Sequence, residues 1–119
     1  MGTFVSVRGW IESSSEQEPE LRRRISACRN DANTYAKAWV YSVAGGYSNF
    51  AFFGCTIRES IVTDLQDLLR ELAQISSIDG EFTDYVSGVF HAKHENEELP
   101  ETIWRLCNGK FTVLSANGT

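Results

Sequence analysis

The two histidines, His91 and His94, lie three residues apart. On an extended strand, positions three apart point to opposite faces. This His-x-x-His therefore reads as two strand-surface or strand-end histidines that do not clamp one metal ion. The three cysteines, Cys28, Cys55 and Cys107, lack the Cys-x-x-Cys spacing of a zinc or redox site and read as core fillers, with Cys107 beside a turn where an oxidant could reach it. Their odd, sparse distribution argues against a disulfide framework and for a reducing compartment. Gly45-Gly46 lacks the Lys-Ser/Thr that completes a phosphate loop, and no Gly-x-Ser-x-Gly nucleophile elbow occurs. With 16 Asp and Glu in the chain, some carboxylates approach each other in any fold, which is no mark of acid–base catalysis. This inventory predicts no catalytic residue, no metal and no cofactor: a chain that works without being an enzyme.

The bulk composition narrows the class further. The chain has 119 residues, 42% of them hydrophobic and 23% charged, the usual make-up of one globular domain, here taken as 1–119. A net charge of −5 argues against a nucleic-acid partner, which selects a basic footprint, and permits a basic protein partner, whose encounter opposite charge accelerates. No apolar run approaches the roughly 20 residues of a membrane span. The start, Met1-Gly2-Thr3-Phe4, shows no basic region followed by an apolar stretch, so no secretory leader is expected and the location reads as cytoplasmic.

The elements that must position any working surface follow from periodicity. Val5, Val7 and Ile11 alternate as on a strand over residues 4–12. A polar, acidic loop (13–20) leads into a helix running to about Arg29, with Pro19 in its first turn and a thin stripe of Leu21, Ile25 and Cys28. Residues 35–57 predict a hairpin around a two-residue Gly45-Gly46 turn. That turn would set Tyr41 opposite Phe50 and Trp39 opposite Phe52. Ile61, Leu65, Leu68, Leu72 and Ile75 predict a core-facing helix over about 60–76. A long strand (82–94, with Gly88 as a bulge), an acidic loop (95–101) and a hairpin over 102–115 around Asn108-Gly109 complete the chain, with residues 116–119 expected to be loose. The order β-α-β-β-α-β-β-β predicts an α+β fold: a single, mainly antiparallel curved sheet with two helices on one face.

Two features exceed this background. Under the predicted register Trp39, Tyr41, Phe50 and Phe52 share one sheet face. They are either the core, closed over by sheet curvature, or an anchor surface for a partner. The loop with Glu95, Glu97, Glu98 and Glu101 is either plain solvated surface or a docking patch for a basic protein.

The chain resembles the immunity protein 7 family of bacterial polymorphic and contact-dependent toxin systems. The resemblance rests on Gly9-Trp10-Ile11 ending the first strand, the acidic loop and helix after it, the strand pair, the amphipathic helix, the turn at Asp79-Gly80, and Trp104-Arg105-Leu106-Cys107-Asn108-Gly109-Lys110 following a second acidic loop. It covers nearly the whole length, in element order and spacing more than in any single motif. It implies an antidote that binds a cognate toxin domain, often a nuclease, and needs no cofactor. Glu95, Glu97, Glu98 and Glu101 with a nearby aromatic are then the expected contact residues, from charge chemistry alone. A non-catalytic adaptor or homodimer and a small-molecule-binding domain are the competing expectations.

Overall fold

A computed structural model of the chain describes residues 3–42 and 48–115. The predicted Gly45-Gly46 turn and the tail from 116 lie outside the described residues. The first strand, β1 (Phe4–Ser14), becomes the middle of a six-stranded sheet: β2 (Trp39–Tyr41), β3 (Ser48–Arg58), β1, β6 (Ser87–His94), β7 (Thr102–Cys107) and β8 (Lys110–Ser115), in that order. Every neighbouring pair is antiparallel. A separate two-stranded ribbon, β4 (Ser76–Asp79) with β5 (Phe82–Tyr85), stands apart from it. The chain is thus α+β with a mainly antiparallel sheet, as the element order predicts.

Helices α1 (Glu18–Ser26) and α2 (Val62–Leu72) cover one face. Leu65, Leu68, Leu69 and Leu72 of α2, with Leu21 and Ile25 of α1, bury against Val5, Val7, Ile11, Phe53, Phe90 and Trp104 of the sheet. Each such side chain contributes roughly 1.5–3 kcal/mol by leaving water. Between α1 and β2 the chain makes a 3-10 segment, Asp31–Ala38, opened by Asn30. The Asn30 side chain accepts from the Ala32 N–H at 2.9 Å and donates to the Asp64 carbonyl at 2.9 Å, tying this connection to α2. The predicted strand from Tyr35 therefore starts only at Trp39. Among the described residues no helix is long and apolar enough to cross a membrane.

Three local expectations are corrected. First, β2 and β3 pair Trp39 with Phe53 and Tyr41 with Ala51, one residue off the predicted register. Because the side-chain period is two, that slip exchanges the faces of one strand relative to the other. Trp39 lies on the core side with Phe53, their rings 5.0 Å apart, and Phe50 and Phe52 turn to the opposite side. Second, α2 ends at Leu72, where the N–H groups of Gln74 and Ile75 bond to the carbonyls of Glu71 and Leu72, and the next residues become β4. Third, the strand over 82–94 breaks at the buried Val86, whose N–H reaches back to the Ile75 carbonyl, while Gly88 stays in register opposite Ile11. Gly88 is small because a Cβ there would sit 2.4 Å from the Trp10 carbonyl oxygen.

The last hairpin matches its expectation. Asn108 and Gly109 have φ of 54° and 79°, the positive pair of a primed turn, and Trp104 pairs with Val113 and Leu106 with Phe111.

Candidate partner-binding face

The sheet face away from the helices is built by strand parity. Val5, Val7 and Ile11 point into the core, so Arg8 and Trp10 point out. Pairing then sets Phe52 and Val89 beside Trp10, Val40 beyond Phe52 and Arg105 beyond Val89. The result is one row across the sheet: Val40, Phe52, Trp10, Val89, Arg105. Phe52 is 45% and Trp10 41% exposed, and Val40 is more open still. Phe50, one pair further along, stacks on Phe52 with ring centroids 5.9 Å apart and planes 20° apart. The next row holds Arg8, His91, Ile103 and Leu114. Large aromatics left half open on a sheet face are the side chains most often found anchoring protein interfaces.

Of the four aromatics expected together, the structure keeps only Phe50 and Phe52 on this face. Trp39 is 7% exposed and belongs to the core, which removes it as a contact residue. Tyr41 lies on the helix side under the guanidinium of Arg22, 4.3 Å above its ring, and burial pushes its hydroxyl above the ordinary range despite that cation. Trp10 takes their place. Its signal was present in the alternation of Val5, Val7 and Ile11, which sends position 10 to the other side.

The acidic loop lies at one end of this face, and its four glutamates differ. The Glu95 carboxylate accepts from the Phe4 N–H at 3.1 Å, and Glu101 sits 3.9 Å from Arg8 and 3.5 Å from His91 Nδ1. These two hold the loop to the sheet. Asn96 shapes it: its N–H donates to His94 Nδ1 and its side chain accepts from the Glu98 N–H. Glu97 and Glu98 are exposed, with no side-chain partner among the described residues. The two ends of the loop lie at different distances from the aromatic row: Glu101 reaches Arg8, two residues from Trp10, whereas Glu95 sits at Phe4, six residues from Trp10 along β1 and roughly 20 Å away at strand spacing.

The chemistry-bearing residues stay dispersed. His91 reaches Glu101 and His94 reaches Glu59. Cys28 donates to the Asn30 side chain, and Cys107 is exposed. Among the described residues no group of three or more His, Cys, Asp or Glu could hold a metal ion. A cleft of about 440 Å³ between α1 and α2 is lined by Arg23, Arg24, Arg29, Asp67 and Glu71. Arg23 and Arg24 there are both engaged by Glu20, whose carboxyl they hold down at about 2. A groove of about 420 Å³ under the acidic loop is lined by Leu99, Trp104 and Val113 among others. Neither includes the aromatic row.

Compared with protein-family models, with curated proteins and with solved structures, the chain gives no match.

Proposed function

We propose that the chain is an immunity protein that binds and neutralises a cognate bacterial toxin domain, a nuclease, in the cytoplasm of the producing cell, by contact alone and without a cofactor. The observation that carries this reading is the half-exposed row of Phe52, Trp10 and Val40, with Phe50 stacked on it, on a sheet face that no helix covers among the described residues. The resemblance in element order supports it independently.

In this account the aromatics are the desolvated anchor. Glu97 and Glu98, free at the rim, meet the cations with which a nuclease binds phosphate. A standard interface buries about 800 Å² on each partner, a patch wide enough to span the roughly 20 Å between the aromatic row and the Glu95 end of the loop. Neutralisation is then steric: the toxin surface that would carry nucleic acid is occupied.

The reading requires a toxin domain encoded beside this gene, and the test is co-expression with that domain, followed by a nuclease assay of the purified complex. Protection of growth, with a complex inactive until dissociated, is the expected result. A toxin that stays active and unbound in the presence of this chain would sink the reading, and so would protection that persists undiminished when Trp10 and Phe52 are both alanine.

A further inference from the structure

The ribbon β4–β5 and the open sheet face are chemical complements. The ribbon, Ser76–Tyr85, holds Asp79, Glu81 and Asp84 and no Lys or Arg. Pairing sets Asp79 opposite Phe82, and Asp84 is two residues from Phe82, so one ribbon face presents an aromatic ring between two carboxylates. Phe82 is 77% exposed, so it is not seated on its own molecule. The base of the ribbon, by contrast, is fixed. The buried Gln17 donates from Nε2 to the Ser77 hydroxyl and to the Asp84 carbonyl, and the Tyr85 ring lies against Gly109.

The open face has the opposite character in a chain of net charge −5. Its strand positions carry Arg8, Arg58, Lys93, Arg105 and Lys110 against one carboxylate, Glu12. Glu101 approaches Arg8 from the rim, but Arg58, Lys93, Arg105 and Lys110 form no ion pair among the described residues. The apolar centre of that face, Trp10 with Phe52, is bordered by Arg105 in the same row.

We propose that the occupant of this face in the free protein is the ribbon of a second copy, with Phe82 on Trp10 and Phe52 and the ribbon carboxylates on Arg105 and Lys110. Both halves of the match are present in every copy, so a two-fold pair satisfies both at once and closes. This inference does not rest on the toxin reading. If both hold, toxin and second copy compete for the apolar centre alone, because the cations around it suit the ribbon carboxylates while a basic toxin finds its carboxylates at the rim, in Glu97 and Glu98; toxin binding then splits the pair.

The experiment is sedimentation equilibrium of the full chain at about 100 µM, a range that reveals even weak pairing. Wild type is expected at twice the chain mass, and Phe82→Ser, at an exposed site that leaves the core intact, at the chain mass. Two charge-reversed variants settle the geometry: Asp79→Lys/Asp84→Lys on the ribbon, and Arg105→Glu/Lys110→Glu on the face. Each alone is expected as a monomer, and an equimolar mixture of the two is expected to restore the pair. A monomeric wild type overturns the inference, and if that monomer still neutralises its toxin, the function proposed above survives. A pair that Phe82→Ser and both reversed variants leave intact also overturns it, because the contact then lies elsewhere, for example along the edge of β8.

Discussion

The two faces of the central sheet use the same kinds of residue for different ends. On the helix side, Trp39, Phe53, Phe90 and Trp104 are closed in by α1, α2 and the 3-10 segment, and their rings meet at 5.0 to 6.2 Å where they touch. On the other side Trp10 and Phe52 remain half open, with the less exposed Phe50 stacked on Phe52. The difference is what lies above them. An aromatic under a helix stabilises the fold by full removal from water; one on the open face leaves much of its apolar surface in water. Charge is divided too, with cations on the open face, glutamates at its rim and Asp79, Glu81 and Asp84 on the ribbon.

Substitutions on the two faces are expected to act differently. The largest effect is expected from Trp104→Ala or Phe90→Ala, each almost wholly buried, at about 3–5 kcal/mol of stability by denaturant unfolding. If Trp10→Ala costs as much, the open face is core and the contrast fails. The account predicts that Trp10→Ala and Phe52→Ala each change stability by under about 1 kcal/mol, while each weakens toxin binding by about 2 kcal/mol or more in calorimetry. Gly9→Ala tests how tightly the core face is closed. A Cβ there would meet the Val89 carbonyl oxygen at 2.2 Å and Phe90 Cα at 2.6 Å, both backbone atoms, so a loss of roughly 1–3 kcal/mol is expected. Reversal of Glu97 and Glu98 to lysine should slow toxin association about tenfold with little change in melting temperature.

The smallest effect concerns α1. Glu20, held by Arg23 at 2.5 Å and Arg24 at 2.8 Å, has its carboxyl lowered from 4.5 to about 2. A carboxyl lowered on folding adds stability above its unfolded value and loses it as pH falls through the folded one. Glu20→Gln should therefore melt slightly lower than wild type at neutral pH, with the gap closing between about pH 4.5 and 2 in thermal scans. A gap that stays constant across that range would deny Glu20 this role.

How much of this was legible from the residues depended on local turn chemistry. Asn108-Gly109 accepts positive φ at both positions, so the last hairpin could be paired residue by residue in advance. The β2–β3 pairing could not be read in the same way. Its connection runs through residues 43–47, and a one-residue difference in register was enough to move Trp39 into the core and leave Phe50 and Phe52 outside. The leucine stripe of α2 was plain from its period, whereas β4 is four residues of mixed polarity with no alternation to announce it. Trp10 was readable from the parity of its strand, but its neighbours on the open face come from β3 and β6, and only long-range pairing brings them together.

The open face is tested most directly by calorimetric titration of the cognate toxin domain that the proposal requires, sought in the genes adjoining this one, with wild type and with Trp10→Ala/Phe52→Ala. The account predicts a tight one-to-one complex for wild type, and for the double variant a cooperative melt close to wild type with binding weakened about a hundredfold or more. Equal affinity for the two proteins, with both folded, would contradict it and move the functional surface off the open face.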